Sequence, residues 1–253
     1  MRQKYYLVSG AGTGIGLAIA KKLAERADHS VILCGRRQDV LSEAMHQLSN
    51  TRNHSILVMD IHNPGTIKKA AAQLAIPYLD GIISNAGIGG ENQYGDEDRW
   101  DAIIATNLTG TYHFVNNFLP IVRKSPNTYR HIVVVSSILA RLGVARYSAY
   151  CASKAGLLGL MRSWAVELAP EKILVNAVCP GWVNTKMAQD GMEGIAKNIG
   201  VTTEEFYRMA MESVPLRKMS EPEEIADLTH YLLKQRSITG QTLDINNGAI
   251  MNS

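Results

Sequence analysis

A tyrosine and a lysine four residues apart stand among small side chains in the stretch SAYCASKAG, residues 148–156. In a helix, positions four apart lie on one face, so Tyr150 and Lys154 could point a phenol and an ammonium into one cavity. A cation beside a phenol favours the phenolate and lowers the phenol pKa, which suits the pair to proton transfer. The alternative is a helix packed closely through its alanines, with both long side chains reaching solvent. Other motifs of the chain are needed to choose between these interpretations.

A glycine-rich segment, SGAGTGIG at residues 9–16, follows the first apolar run and precedes a helical pattern. Gly10, Gly14 and Gly16 would let the backbone turn tightly and approach a phosphate, which the N-terminus of a helix attracts. This strand–loop–helix context predicts a dinucleotide site. The spacing GxxxGxG differs from the GxGxxG of the commonest dinucleotide fingerprint.

The end of the second apolar run indicates which dinucleotide is bound. A site for NAD is expected to carry an acidic residue there, which accepts from the ribose hydroxyls. This sequence has Gly35, Arg36 and Arg37 instead. A guanidinium pairs with a 2′-phosphate through charge-assisted hydrogen bonds, whereas a carboxylate would repel it. The pair therefore favours NADP(H), with Arg36 as the better candidate; two solvated loop arginines and NAD(H) are the alternatives.

Short apolar runs alternate with longer segments of helical periodicity along the whole chain. Continuous apolar strands indicate burial on both faces, and therefore a parallel sheet. The alternation predicts an α/β fold, a Rossmann-type doubly wound sheet of seven parallel strands with helices on both faces. The predicted strands are 5–10, 30–35, 54–60, 79–87, 131–137, 172–181 and 241–246, and two long helices are predicted at about 97–122 and 148–169. Without a linker or repeat, residues 1–253 are interpreted as one domain.

One segment, residues 186–214, breaks this alternation between the sixth strand and the last helix. It follows the carboxyl end of a strand, where open α/β sheets bind ligands, so we interpret it as a short helical substrate lid. Its methionines could contact substrate or only pack helix against helix; they are Met187, Met192, Met209 and Met211. Two capping-box patterns predict helix starts, Thr202 with Glu205 and Ser220 with Glu223.

The composition argues against several other classes of protein. Of 253 residues, 46% are hydrophobic and 19% charged, and the net charge of +3 is too small to indicate binding to nucleic acid or to an anionic membrane. The three cysteines lie far apart and no histidines have metal-ligand spacing, so neither a disulfide framework nor a metal site is expected. No apolar run is long enough to span a bilayer. A cytoplasmic location is therefore expected.

Six motifs in register resemble those of the short-chain dehydrogenase/reductase family, and the resemblance extends over residues 5–248. SGAGTGIG resembles the family's TGxxxGxG, SNAG its NNAG, YCASK its YxxxK and CPGWVNT its PGxxxT. ATNLTG supplies Asn107, and VVVSS ends in Ser137, thirteen residues before Tyr150, as is usual in the family. Through this resemblance, Tyr150 and Lys154 are interpreted as catalytic.

The resemblance implies a role for each matching residue. Tyr150 would donate a proton to the substrate oxygen, and Lys154 would lower the pKa of the phenol. Ser137 would stabilise the developing alkoxide, and Asn107 would hold a water that refills the proton site. The residues implied in cofactor binding are Gly10, Thr13, Gly14, Ile15, Gly16, Arg36, Arg37, Asp60, Ile61, Asn85, Ala86, Gly87, Tyr150, Lys154, Pro180, Gly181, Val183 and Thr185. Family members are usually tetramers or dimers, so a homo-oligomer is expected.

The segment 201–232 is similar to the matching part of 3-oxoacyl reductases, polyketide ketoreductases and 3-hydroxybutyrate dehydrogenases. This similarity implies an NADP-dependent interconversion of a ketone and a secondary alcohol, on a 3-oxoacyl or similar β-keto thioester. One alternative is an NAD-linked dehydrogenase of a sugar, polyol or steroid alcohol. Another is a dinucleotide-binding sensor or scaffold without turnover, which would be expected to lack one of the four catalytic residues.

Two departures from the family pattern bear on partners. The C-terminal VDGG is INNG here, at residues 245–248, a change expected to affect subunit packing or the cleft edge. Acyl-carrier-protein reductases often carry arginines near the positions that align with Thr128 and Glu171. The nearby basic residues here are Arg123, Lys124, Arg130 and Lys172. Docking of an acidic carrier protein is therefore left open.

Overall fold

Seven parallel strands form the central sheet of this computed structural model, which describes residues 2–92 and 95–251. The strands are β1 Lys4–Ser9, β2 His29–Gly35, β3 Ser55–Val58, β4 Gly81–Ser84, β5 Arg130–Val135, β6 Ile173–Pro180 and β7 Thr242–Ile245. Their order is β3-β2-β1-β4-β5-β6-β7, and all neighbouring pairs are parallel. The predicted doubly wound sheet is confirmed. Because the strand order reverses between β1 and β4, a crevice forms outside their carboxyl ends, where such sheets bind ligands.

Helices cover both faces of the sheet. They are α1 Gly14–Ala24, α2 Gln38–His46, α3 Pro64–Gln73, α4 Trp100–Ile104, α5 Gly110–Val122, α6 Ser148–Leu168, α7 Lys186–Ile199, α8 Thr203–Glu212 and α9 Pro222–Leu232. One apolar core, around Phe114, Phe118 and Trp164, packs α3, α5 and α6 against the sheet. The second core packs α1, α2 and α9 against the other face. Among the described residues, no helix combines the length and hydropathy that crossing a membrane requires.

The single long helix predicted at 97–122 is interrupted in the structure. It begins at Trp100, whose N–H donates to the Asp98 carboxylate at 3.2 Å. A π-helical turn, Ala105–Thr109, then separates α4 from α5 and contains Asn107. Wide turns of this kind occur frequently at functional sites. The interruption therefore sets Asn107 apart from the regular helix on either side.

The capping box predicted at Thr202 is confirmed, and α8 begins there. The Thr202 hydroxyl accepts from the Glu205 N–H at 3.2 Å, and the Glu205 carboxylate accepts from the Thr202 N–H at 2.8 Å. α7 and α8 together occupy most of the predicted lid segment.

The capping box predicted at Ser220 is wrong by one residue. Glu221 precedes α9, and its N–H donates to the Glu224 carboxylate at 2.7 Å. Ser220 is 1% exposed and instead forms a β-bridge with Val183. This tertiary pairing takes Ser220 away from the helix, so the next residue becomes the cap.

Candidate active site

Tyr150 and Lys154 both face the crevice from α6, as their spacing predicted. The Lys154 ammonium donates to the Val135 carbonyl at 3.0 Å, and it lies 5.5 Å from the centroid of the Tyr150 ring. The Ser136 hydroxyl donates to the Lys154 carbonyl at 2.9 Å. These bonds fix α6 against the carboxyl end of β5, so the phenol and the ammonium are held in one place.

Burial determines the acid–base properties of the pair. Burial raises the pKa of Tyr150 to about 12, and a hydrogen bond with Ser137 partly opposes that rise. Burial lowers the pKa of Lys154 to about 8. The lowered phenol pKa that the sequence predicted is thus wrong for the protein alone, because desolvation of the phenol is the largest influence on its pKa. At neutral pH the phenol carries its proton, as a proton donor must.

Ser137 stands at the end of β5, beside Tyr150. Its hydroxyl oxygen accepts from the Leu139 N–H at 3.1 Å, which begins a short 3-10 turn. The hydroxyl also hydrogen-bonds with Tyr150. The structure therefore brings the serine and the tyrosine together, and two hydroxyl groups could contact one substrate oxygen.

The Asn107 side chain is 1% exposed and bonded inside the protein. Its Oδ1 accepts from the Ile88 N–H at 2.8 Å, and its Nδ2 donates to the Ile88 carbonyl at 2.9 Å and to the Ser153 hydroxyl at 3.2 Å. A Cβ added at Gly87 would lie 3.0 Å from Asn107 Oδ1 and 3.7 Å from Lys154 Nζ. Asn107 thus anchors the loop after β4 close to the lysine.

The glycine loop presents bare backbone to the same crevice. A Cβ at Gly10 would lie 2.9 Å from Asn85 Nδ2, and Gly14 has a φ of +53° that L side chains rarely adopt. Both glycines line the crevice at the start of α1. Close backbone and a helix N-terminus are what a pyrophosphate requires, so this loop fits a dinucleotide.

Gly16, which the resemblance implies in cofactor binding, is not among the residues that line the crevice. A Cβ at this position would overlap the Gly10 carbonyl oxygen. Gly16 therefore permits close packing of α1 against the loop.

The crevice gathers most of the remaining residues predicted to bind cofactor. Those that line it are Thr13, Ile15, Arg36, Arg37, Asp60, Ile61, Asn85, Ala86, Gly87 and Thr185. Arg36 and Arg37 are exposed and form no ion pair within residues 2–92 and 95–251. Two exposed guanidinium groups without an ion-pair partner among the described residues, both lining the crevice, fit the 2′-phosphate of NADP.

Pro180, Gly181 and Val183 lie near the crevice but do not line it. A Cβ at Gly181 would lie 3.0 Å from the Asn246 Cα, so this glycine packs against the end of β7. Val183 is 5% exposed, and its N–H has no hydrogen bond with any described residue. The resemblance implies Val183 in cofactor binding, and a buried, unpaired N–H fits a contact made through its backbone.

Several crevice residues were missed by sequence reasoning; they include Gly12, Ile88, Thr106, Ser136 and Lys186. Ser9, which also lines the crevice, stands where the family motif TGxxxGxG has threonine. Its hydroxyl accepts from the Asn85 and Ala86 N–H groups, each at 3.0 Å, and so joins β1 to the loop after β4. Gly12 stands inside the glycine motif, which was the available signal. Thr106 and Ser136 likewise stand inside ATNLTG and VVVSS, while Ile88 and Lys186 directly follow SNAG and CPGWVNT.

The four methionines of the lid segment divide between the two interpretations. Met187 lines the crevice and is 50% exposed. Met192 and Met211 are buried together between the helices, as ordinary packing predicts. Met209 is exposed. Of these four methionines, only Met187 is therefore placed to contact a ligand in the crevice.

The described residues contain no group of three histidine, cysteine, aspartate or glutamate side chains that could hold a metal ion.

Comparison with known proteins agrees with this site. A family model described as Enoyl-(Acyl carrier protein) reductase matches residues 10–249. The monensin polyketide synthase putative ketoacyl reductase of Streptomyces virginiae is 34% identical, over 96% of this chain and 95% of that protein. The 3-oxoacyl-(acyl-carrier-protein) reductase of Aquifex aeolicus is 30% identical, over 98% of both chains.

Solved structures share the whole architecture. A single-residue variant of the actinorhodin polyketide ketoreductase, solved with NADPH, superposes with a TM-score of 0.90 at 30% identity, over 98% of this chain and 99% of that one. A short chain dehydrogenase family protein from Francisella tularensis gives a TM-score of 0.86 at 26% identity, over 98% of both chains. The motifs, the strand order and these matches together show that the chain belongs to the short-chain dehydrogenase/reductase family.

Proposed function

We propose that the protein is an NADP-dependent oxidoreductase that interconverts a 3-oxoacyl thioester and the corresponding 3-hydroxyacyl thioester. The observation that carries this proposal is the crevice itself. Tyr150 and Lys154 line it with Ser137 beside Tyr150, and Arg36 with Arg37 line it where β2 ends. The names of the ketoacyl reductases reported above support the substrate class.

Residues along the crevice would hold the nucleotide. The backbone around Gly10 and Gly14 binds its pyrophosphate at the start of α1. Arg36 pairs with the 2′-phosphate. Asp60 contacts the adenine, while the Val183 N–H and the Thr185 side chain hold the nicotinamide end. When bound, NADPH supplies the hydride that reduces the carbonyl carbon.

The side chains on β5 and α6 would supply the proton. Tyr150 donates its phenolic proton to the carbonyl oxygen as the C–O double bond becomes a single bond, and Ser137 donates a hydrogen bond to the same oxygen. The charge on Lys154 then stabilises the phenolate that remains. Because the Asn107 amide is already bonded to Ile88 and Ser153, a relay water would bind its backbone rather than its side chain.

We propose a substrate that reaches the crevice without a carrier protein. Arg123 makes two hydrogen bonds to the Glu171 carboxylate, at 2.8 and 2.7 Å. Arg130 donates to three backbone carbonyls, one of which belongs to Glu171. Two of the four basic residues noted for carrier docking are thus bonded within the protein, which weakens this face as a site for an acidic partner.

We propose that the protein is a homo-oligomer, either a tetramer or a dimer. On α5, Tyr112 is 46% exposed and stacks on Trp164 of α6, with 6.4 Å between the ring centroids. Val166, also on α6, is 79% exposed. Exposed apolar groups on two adjacent helices favour contact with a second copy.

The chain is further proposed to be a single domain whose lid, at about 186–214, closes over the substrate through Met187. A cytoplasmic location is supported by the free thiols of Cys34, Cys151 and Cys179, which suit a reducing compartment.

Replacement of Tyr150 by phenylalanine tests the function. The variant removes only the phenolic oxygen, so the purified protein should lose at least about a hundredfold in kcat with acetoacetyl thioester and NADPH. Its affinity for NADPH, measured by fluorescence, should stay within about twofold. A Tyr129→Phe variant, which changes a tyrosine outside the crevice, serves as the control. Full turnover by Tyr150→Phe would refute the proposed proton donor.

A further inference from the structure

Asn92 lies in the loop that follows β4, and its side chain bonds to residues of the first turn of α6 that stand 56 and 57 positions later in the chain. Its side chain is 1% exposed. Its Oδ1 accepts from the Ala149 N–H at 2.9 Å and from the Ser148 hydroxyl at 3.2 Å. The first N–H groups of a helix have no partner within the helix. The Asn92 amide therefore accepts from one of these unpartnered N–H groups, at the start of the helix that carries Tyr150 and Lys154.

The sequence around the start of α6 provides no cap of its own. Tyr147 precedes the helix, and its side chain makes no capping bond. Helix N-termini are usually capped by Ser, Thr, Asp or Asn at this position. Asn92 supplies the missing oxygen from another loop, so the position of the first turn depends on that loop.

Two further bonds fix the direction in which the Asn92 amide points. Its Nδ2 donates to the Asp98 carboxylate at 2.9 Å, and its N–H donates to the Arg146 carbonyl at 2.6 Å. Since Asp98 accepts from the amide nitrogen, the amide oxygen must face α6. A charged aspartate at position 92 would instead face Asp98 as a like charge.

The same loop is attached to the candidate active site at its other end. Ile88, four residues before Asn92, is held through both its N–H and its carbonyl by Asn107. The segment from Ile88 to Asn92 therefore links the π-helical turn to the first turn of α6. Tyr150 is the residue directly after Ala149, so a shift of that turn moves the phenol.

We propose that Asn92 is a positioning residue for the reduction, because it holds the first turn of α6 where the Tyr150 phenol meets Ser137. This inference rests on the proposed function for its kinetic consequence only. Asn92 touches neither Tyr150 nor Lys154 through any hydrogen bond in the described part of the chain. Its effect on the reaction is exerted through the helix.

An Asn92→Ala variant tests the inference, with Asn63→Ala as a matched control. Asn63 caps α3, where its Oδ1 accepts from the Gly65 N–H at 2.9 Å and from the Thr66 N–H at 3.4 Å. Both variants remove one asparagine cap, so both should lower the melting temperature by similar amounts. At saturating NADPH, only Asn92→Ala should lower kcat, by roughly tenfold or more, since small misplacements of a reacting group are costly.

The double variant Asn92→Asp with Asp98→Asn should restore activity. It exchanges the two side chains, so that position 98 donates and position 92 still accepts from α6. Recovery to within about threefold of the original kcat supports the inference. Asn92→Asp alone should stay impaired, because it sets two carboxylates against each other.

Thiol labelling gives a readout that does not depend on the reaction. Cys151 lies in the first turns of α6 and is partly exposed, whereas Cys34 and Cys179 are buried. Without its cap the first turn should open more often, so the labelling rate of Cys151 in Asn92→Ala should be about fivefold that of the unmodified protein. In Asn63→Ala the labelling rate should not change.

The outcomes separate the inference from the proposed function. If the unmodified protein reduces no thioester but Cys151 labelling accelerates only in Asn92→Ala, the function fails and the capping role stands. Equal labelling rates in both variants would overturn the inference. So would equal kcat values in an active enzyme.

Discussion

Replacing Arg36 with alanine tests the preference for NADP over NAD. Arg36 and Arg37 follow β2, line the crevice and are exposed. Neither forms an ion pair within the described residues, so both guanidinium groups are available to a phosphate. Since NADPH and NADH differ only in the 2′-phosphate, a residue that recognises this group affects one nucleotide and not the other.

The magnitude follows from the exposure of the site. Hydrogen bonds to a charged group contribute about 1.5–3 kcal/mol, and solvent screening places an exposed arginine at the lower end. About 1.4 kcal/mol corresponds to a factor of ten in affinity. Arg36→Ala should therefore raise the Kd for NADPH roughly tenfold and leave the Kd for NADH within about twofold.

Nucleotide titration followed by fluorescence measures both constants. Arg52→Ala is the control, because Arg52 is also exposed but lies in the short turn Thr51–Asn53 and does not line the crevice. The Arg36 effect should shrink as salt rises, since exposed ion pairs are screened. Equal weakening of NADPH and NADH in Arg36→Ala would refute phosphate recognition by this residue.

Two further predictions concern pH. Burial lowers the pKa of Lys154 to about 8, so the ammonium loses its charge as pH rises through about 8. The value of kcat/KM for NADPH reports groups of the free protein and should fall over the same range. A kcat/KM that is still constant at pH 9.5 would contradict this. Burial lowers the pKa values of His29 and His131 to about 4 each, so the fold favours their neutral forms. The neutral histidines contribute fully to the free energy of unfolding above pH 6.5, and this contribution is lost as pH falls toward 4, by roughly 3 kcal/mol for each histidine. Urea unfolding at pH 7 and at pH 4.5 measures the loss. Replacing both histidines with glutamine should remove most of the difference between the two pH values.

The parallel sheet was predictable because its strands are continuous apolar runs, a pattern that depends on local sequence alone. The π-helical turn at Ala105–Thr109 was not predictable in this way. It coincides with the bonds of Asn107 to Ile88 and Ser153, residues 19 and 46 positions away along the chain. The start of α9 was misplaced for a similar reason. Ser220 matches a local capping pattern, but its β-bridge with Val183 takes precedence.

The site shows the same division between local and tertiary causes. The spacing of Tyr150 and Lys154 placed both on one helix face, and the glycine motif identified the loop at the start of α1. The pKa of Tyr150 was predicted in the wrong direction, because the sequence shows the neighbouring cation and not the burial. Asn92 gave no signal, since its bond to Ala149 spans 57 residues.

Transfer of deuterium from NADPH to product tests the central claim most directly. The protein would be incubated with acetoacetyl thioester and NADPH that carries deuterium at both C4 positions of the nicotinamide, and the product would be analysed by mass spectrometry and NMR. Deuterium at C3 of a 3-hydroxybutyryl thioester, formed by the unmodified protein and absent with Tyr150→Phe, is the predicted result. Deuterium-free product, or no product from the folded, NADPH-bound protein, would contradict the proposed function.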